Sequence, residues 1–185
     1  MTAVLTMAEG CSAMTDWSAI VRRHGALVWK TAYRLLGQDA DAADVFQETF
    51  LSAVEVVRRE PVGNWPGLLQ RLATMRALDH LRRRIRDRRG RDCAPEWESL
   101  PTSDADPVQE AEATELADRL RSALAQLPSR QSELFCLRHV AGLSYEEISA
   151  QLDMSVDAVG VMLHRARGKL RELLIGGSVD ECPER

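Results

Sequence analysis

The chain has 185 residues, of which 45% are hydrophobic, and its formal net charge at neutral pH is −4. This length allows one large or two small domains, and the apolar content is too high for a globally disordered protein. The weakly acidic average also excludes a protein that coats nucleic acid indiscriminately.

The average charge conceals two blocks of opposite sign. Residues 82–91 contain seven arginines and one acid, whereas residues 96–118 contain eight acids and no lysine or arginine. Cations are favoured at helix C-termini, so a basic run can simply be a solvated helix end. Seven arginines exceed what such an end needs, which favours contact with nucleic-acid phosphates. The acidic block is typical of a linker or of an internal mimic of that polyanion.

Four cysteines, at positions 11, 93, 136 and 182, form no C-x-x-C pair and indicate free thiols in a reducing compartment. Cys136 and His139 make a lone C-x-x-H, which lacks the four ligands of a structural zinc site. The sequence shows no nucleophile constellation or phosphate-binding loop, so we expect no enzyme activity, catalytic residue, metal or cofactor. It also lacks a secretory signal and an apolar run of about 18 residues, which predicts a cytoplasmic protein without membrane insertion.

Three helices are predicted after an aperiodic tail over residues 1–14. The first begins after Asp16 and ends at Gly37, the usual residue types for the two helix ends. The second runs from Asp39 to about residue 59, and the third from about residue 67 to 86. The predicted apolar stripe of the third helix is Leu68, Leu72, Met75, Leu78, Leu81 and Ile85.

The second predicted helix has an acidic face opposite its apolar face. The residues on this acidic face are Asp44, Gln47, Glu48, Leu51 and Glu55. Such a pattern is ordinarily interpreted as a solvated surface. Leu51 at its centre is the one residue that hints at a surface that docks on another protein.

A second domain is predicted after a linker over residues 91–106, which contains Pro and Ser and has little periodicity. Helices are expected from Pro107 to about residue 127 and from Pro128 to Gly142. No segment alternates with a period of two, so the predicted fold is all-α, with two small helical domains joined by a flexible linker.

The stretch from residue 127 to 174 ends in two helices joined by a tight turn. Ser144 begins the short helix with the capping box S-x-x-E, and Ser155 caps the longer one. The longer helix has one continuous apolar face, formed by Val159, Leu163, Ala166, Leu170 and Leu173. This is typical of a helix-turn-helix motif, whose second helix enters the DNA major groove. A plain helical hairpin with a solvated basic face remains an alternative from this stretch alone.

Three stretches together resemble the RNA polymerase sigma factors of the extracytoplasmic-function (ECF) type. DADAADVFQETFLSAV (39–54) looks like region two-point-two, and LLQRLATMRALDHLRRR (68–84) looks like regions two-point-three and two-point-four. Residues 127–170 look like region four. The likeness extends over about residues 15–175, and it implies a region 2-like domain over 15–90, a region 4-like domain over 107–175 and a short C-terminal tail over 176–185.

The resemblance implies a transcription initiation factor that binds core RNA polymerase and directs it to specific promoters. The acidic face would contact the clamp helices of the largest polymerase subunit, and the polymerase flap and an anti-sigma factor are further expected partners. The loop over residues 58–65 would capture a base flipped out of the minus-ten element, which costs a few kcal/mol.

The resemblance also assigns residues to promoter DNA. Those expected at the minus-ten element are Trp65, Arg71, Arg76, His80, Arg82, Arg83 and Arg84. Those expected at the minus-thirty-five element are Ser155, Asp157, Ala158, Val161, His164, Arg165 and Arg167. Trp65 is interpreted equally well as an ordinary core aromatic residue.

The chain departs from the family pattern in two places. Thr74-Met75 stands where the family often has Arg-Asn, and Gly160-Val161-Met162 replaces a lysine, a serine and an arginine. The loss of two cations favours a sigma-like protein that binds polymerase or a regulator but recognises DNA weakly. Val161 could instead contact a thymine methyl group and alter the specificity. Another helix-turn-helix regulator is the remaining alternative, which the acidic face and the ALDHLRRR stretch disfavour.

Overall fold

The computed structural model describes residues 15–89 and 107–176, except for the side chains of 88, 89, 107–111 and 176. Within these ranges the chain forms seven helices and no strand, which confirms the all-α fold class. The helices are α1 (Trp17–Leu36), α2 (Asp39–Val57), α3 (Trp65–Arg89), α4 (Pro107–Gln126), α5 (Ser129–His139), α6 (Tyr145–Leu152) and α7 (Val156–Gly176). None of these helices has the length and apolar composition needed to cross a membrane. The predicted N-terminal tail, linker and C-terminal tail lie outside the described residues, apart from Gly176.

The helices of the N-terminal half, residues 15–89, begin and end at residues suited to those positions. The Asp16 carboxylate accepts a hydrogen bond of 3.0 Å from the backbone N–H of Ala19 at the start of α1. Gly37 ends α1 in the left-handed conformation, with φ of +75°, which glycine adopts at little cost. At the start of α3, the side chain of Asn64 accepts a 3.0 Å bond from the N–H of Gly67.

The buried side of α3 differs from the predicted apolar stripe. Leu69, Ala73 and Ala77 are fully buried on α3, whereas Met75 is 40% exposed, so its assignment to the buried stripe was wrong. Ala73 and Ala77 allow neighbouring helices to approach closely, and a pattern based on large apolar side chains omits such positions. Leu78 and Leu81 are buried as predicted.

The C-terminal half, residues 107–176, contains the predicted helix-turn-helix. Ser144 accepts from the N–H of Glu147 at 3.1 Å, and the Glu147 carboxylate accepts from the N–H of Ser144 at 2.7 Å. The predicted capping box is therefore confirmed. Asp153 has a positive φ of 50° and turns the chain between α6 and α7. Seven buried residues form the local core: Leu134, Leu137, Leu143, Ile148, Leu152, Val159 and Leu163.

The two halves pack directly against each other through one shared apolar cluster. From the N-terminal half it contains Ala32, Leu35, Leu36, Ala42, Val45, Ala77, Leu78 and Leu81; from the C-terminal half it contains Ala123, Leu124, Leu127, Cys136 and Leu170. We name this group the shared cluster. Because each half contributes large buried side chains, separating the halves exposes apolar surface to water. This exposure costs about 25 cal/mol of free energy per Å² of apolar surface.

Candidate nucleic-acid interfaces

The acidic face of α2 is turned away from the protein core. Asp44, Gln47 and Glu55 are exposed, Glu48 is partly exposed, and the Leu51 side chain is 68% exposed. The opposite side of α2 buries Ala42, Val45, Thr49, Ser52 and Ala53. All five predicted polymerase-binding residues therefore share one accessible surface, and their role there stays a prediction.

The basic residues predicted at the minus-ten element are not presented on one free surface. Arg71 on α3 donates to the Glu133 carboxylate at 3.1 Å and to the carbonyl of Gln151 at 2.9 Å. Arg82 donates to the hydroxyl of Ser132 at 2.6 Å. Two of the predicted DNA-binding arginines are thus bonded to the C-terminal half.

The remaining predicted minus-ten residues on α3 stay within the N-terminal half. Arg76 donates through two nitrogens to the Ser52 hydroxyl, at 2.8 and 3.1 Å. Arg84 pairs with Asp41 at 3.2 Å, and His80 Nδ1 lies 3.8 Å from the same carboxylate. Arg83 is exposed.

An open pocket of about 190 Å³ lies beside the α2–α3 loop. It is lined by Val56, Glu60, Pro61, Val62, Asn64, Leu68, Arg71 and Gln151. Gln151 comes from α6 of the C-terminal half, and its side-chain amide is buried without a hydrogen-bond partner. The loop predicted to capture a flipped base therefore borders a small cavity that the other half of the chain partly closes.

The predicted recognition surface on α7 is largely accessible. Ser155 caps the helix by accepting from the N–H of Ala158 at 3.2 Å. Asp157, Val161, His164, Arg165 and Arg167 are exposed, and Ala158 is partly buried. The apolar face on the other side of α7 is buried, as predicted, at Val159, Leu163, Ala166 and Leu170.

The three unusual residues of α7 occupy different environments. Val161 is 53% exposed, whereas Met162 is partly buried and packs against the local core of the C-terminal half. A Cβ atom at Gly160 would lie 3.8 Å from the ring of Tyr145, an ordinary contact distance. A larger side chain therefore fits at position 160, while position 162 also has a packing role.

Cys136 and His139 lie on α5 in unlike surroundings. Cys136 is buried in the shared cluster, and burial raises the pKa of its thiol to about 12. The His139 ring lies 4.5 Å from that of Phe135. Among the described residues, no three His, Cys, Asp or Glu side chains form a group that could hold a metal.

The sequence interpretation missed the residues through which the C-terminal half contacts α3. Glu133 is only 8% exposed and pairs with both Arg71 and Arg130, at 3.1 and 3.2 Å. Ser132, Gln151 and the carbonyl of Ala141 also accept hydrogen bonds from α3. Their spacing along the chain contains no signal of it, because the contact depends on how the two halves pack.

Two protein families match this chain, in the order expected. The Sigma-70 region 2 family matches residues 20–87, and the Sigma-70 region 4 family matches residues 117–170. Each match falls within one of the two halves, and together they contain α2, α5 and α6 complete and all of α3 except its last two residues.

Curated relatives agree with these matches. ECF RNA polymerase sigma factor SigE of Mycolicibacterium smegmatis is 37% identical over 174 residues, which cover 94% of this chain and 67% of the relative. ECF RNA polymerase sigma factor SigD of Mycobacterium tuberculosis is 34% identical over 139 residues, or 72% of this chain and 63% of the relative. The chain thus spans about two thirds of the length of these relatives.

Two solved structures have a related fold. CnrH in complex with the cytosolic domain of CnrY matches with a TM-score of 0.52 and 27% identity, over 87% of this chain and 88% of CnrH. The sigma factor RpoE of Bartonella quintana, in complex with the anti-sigma factor NepR, matches with a TM-score of 0.51 and 21% identity, over 90% and 99%. The second similarity supports the fold alone. From the two matched regions and the identity to SigE, the chain belongs to the extracytoplasmic-function sigma factors, the initiation subunits that direct RNA polymerase to promoters.

Proposed function

We propose that this sigma factor binds core RNA polymerase through the acidic face of α2 and contacts promoter DNA through α3 and α7. The observation that supports polymerase binding best is Leu51, which is 68% exposed among Asp44, Glu48 and Glu55. Burying this leucine in an interface would add favourable apolar contact, and the surrounding acids would select a basic partner surface. The clamp helices of the largest polymerase subunit are the expected partner.

The minus-thirty-five contact is proposed for the exposed side of α7. Val161, His164, Arg165 and Arg167 lie there opposite the buried apolar face, as the recognition helix of a helix-turn-helix requires. Gly160 removes a cation that the family pattern has at that position, which favours a weak contact with DNA phosphates. Polymerase binding is therefore better supported than strong recognition of the minus-thirty-five element.

Two further properties follow from the family. Because polymerase holds the catalytic magnesium, we expect the chain to serve as a specificity subunit that performs no chemistry itself. We also expect it to act in the cytoplasm. CnrH and RpoE were solved with the cytosolic domain of CnrY and with the anti-sigma factor NepR. We expect an anti-sigma factor to regulate this chain too. We also expect the chain to contact the polymerase flap.

The decisive experiment is run-off transcription from genomic fragments by core polymerase with the purified chain. Its residue-level companion is capture of core polymerase by the variant Glu48→Arg, Leu51→Asp, which reverses one charge and removes the exposed apolar group. We expect this variant to capture little polymerase and to give little transcript.

A matched control is available on α4. Glu115 and Leu116 are both exposed, Leu116 to 61%, so Glu115→Arg, Leu116→Asp makes the same chemical changes elsewhere. The control should behave as the unmodified chain does. Equal capture by the α2 variant and the control would remove the assignment of the acidic face.

A further inference from the structure

The contact between the two halves uses two arginines that are proposed to contact promoter DNA. Arg71 and Arg82 donate to Glu133, Gln151 and Ser132 of the C-terminal half. Within the described residues, three other hydrogen bonds cross the same boundary: Arg34 to the carbonyl of Val140 at 3.2 Å, Gln70 to that of Ala141 at 3.2 Å, and Arg121 to that of Leu35 at 3.0 Å. We name this set of contacts, with the shared cluster, the closed arrangement.

The closed arrangement cannot persist on a promoter. The minus-ten and minus-thirty-five elements lie about 25 base pairs apart, or roughly 85 Å along B-DNA at about 3.4 Å per base pair. Two halves that share one buried cluster cannot bind both elements at once. Residues 91–106 can extend to at most about 55 Å, which permits the halves to separate widely.

We propose that α5 and α6 inhibit the chain from within, by bonding Arg71 and Arg82 and by partly closing the pocket beside the α2–α3 loop. Single-stranded DNA and the C-terminal half would then compete for the same side of α3. The proposal rests on the proposed DNA-binding role of α3. A guanidinium bonded to the Glu133 carboxylate has fewer N–H groups for a phosphate. Binding to DNA therefore requires the halves to open first.

The buried side-chain amide of Gln151 destabilises the closed arrangement. Its amide lies against Gly67, where a Cβ atom would come within 2.5 Å of Nε2. Neither its nitrogen nor its oxygen finds a hydrogen-bond partner among the described residues, and a buried amide without a partner costs free energy. The apolar lining of the pocket, with Val56, Val62 and Leu68, would suit a methionine of similar length better.

Two substitutions in this contact should shift the equilibrium in opposite directions. Glu133→Gln removes the charge that holds Arg71 and should favour opening. Gln151→Met removes the unpaired amide and should favour closure. The control is Glu172→Gln, which removes the same charge from a side chain that is 70% exposed and bonded only to Lys169 within the described residues.

Two measurements on the full chain report opening and DNA binding separately. Opening is followed as alkylation of Cys136 by N-ethylmaleimide, quantified on its peptide by mass spectrometry, because Cys136 is buried in the shared cluster. DNA binding is followed by anisotropy of a labelled mixed-sequence 20-nucleotide single strand over a salt series. Recovery of two phosphate contacts should tighten binding about tenfold at low salt and steepen the log–log salt slope by up to about 1.4.

We expect Glu133→Gln to react faster at Cys136 and to bind the single strand more tightly than Glu172→Gln, and Gln151→Met to change both in the opposite direction. Unchanged alkylation and DNA binding in both interface variants would overturn the inference. Because Gln151→Met should raise the unfolding temperature, its slower alkylation is not explained by misfolding. Faster alkylation of Glu133→Gln without a gain in DNA binding would overturn the competition and the DNA-binding role of α3, while polymerase capture through α2 would be unaffected.

Discussion

The indole rings of Trp17 and Trp65 pack edge to face, with 5.7 Å between their centroids and 87° between their planes. This contact joins the first residue of α1 to the first residue of α3, and both rings are partly buried. Trp65 is also the aromatic residue predicted to stack near the minus-ten element. Its packing role is visible in the structure, and its stacking role stays a prediction.

Removing either indole should destabilise the N-terminal half. Because the rings are only partly buried, we expect Trp17→Ala and Trp65→Ala each to lower the free energy of unfolding by about 2 kcal/mol. The double variant should lose less than the sum, by about 1 kcal/mol, the usual coupling of an edge-to-face pair. Denaturant titrations of the four proteins measure this coupling. Strictly additive losses would show that the two rings contribute independently.

The capping box of α6 should contribute measurably to the stability of the helix-turn-helix. Ser144→Ala removes the acceptor of the 3.1 Å bond from the Glu147 N–H, and the expected loss is about 1 kcal/mol. Thermal unfolding followed by circular dichroism measures it. Ser144→Thr is the control, since threonine retains a hydroxyl that can cap the helix. Equal unfolding temperatures for the alanine and threonine variants would contradict the prediction.

Gly160→Lys should raise both stability and DNA affinity. Lysine is a better helix former than glycine by roughly 0.5–1 kcal/mol, and the space at position 160 admits a side chain. One added phosphate contact should steepen the log–log salt dependence of duplex binding by about 0.9, without a change in base preference. Gly160→Ala is the control, because it should gain stability without gaining the salt slope. A lysine variant with the slope of the alanine variant would exclude a phosphate near position 160.

The histidine on α5 should make the protein less stable in mild acid. Partial desolvation of the imidazole, followed by the charges of Arg167 and Arg138, holds the pKa of His139 below its ordinary value of 6.5. The unfolded chain therefore binds the proton more readily than the folded protein, so the free energy of unfolding falls as the pH decreases through 6.5. His139→Gln removes this contribution.

The unfolding temperatures of the unmodified chain and of His139→Gln should be compared at about pH 7.5 and about pH 5.5, on either side of the ordinary histidine pKa. Acidification should lower that of the unmodified chain more than that of His139→Gln. His164→Gln is the control, because it removes a different exposed histidine from the same half. Parallel shifts in all three proteins would contradict the prediction.

The helices and their ends could be predicted because they depend on residues close together in the chain. The capping hydrogen bonds at Asp16 and Ser144 span three residues, and the αL glycine at position 37 ends its own helix. The acidic face of α2 and the apolar face of α7 repeat at helical spacing and were identified for the same reason. The buried stripe of α3 was partly wrong, because that helix has neighbours in both halves.

The amino-acid sequence by itself determined the all-α fold, the helix-turn-helix and the residues that could face polymerase and DNA, since spacing along a helix places residues on a common side. The tertiary structure decided what those residues contact in the free chain. Arg71 meets a carboxylate 62 residues away and a carbonyl 80 residues away. A long guanidinium side chain can bond to water, phosphate, carboxylate or carbonyl oxygen with similar geometry, so only the packing of the two halves selects its partner.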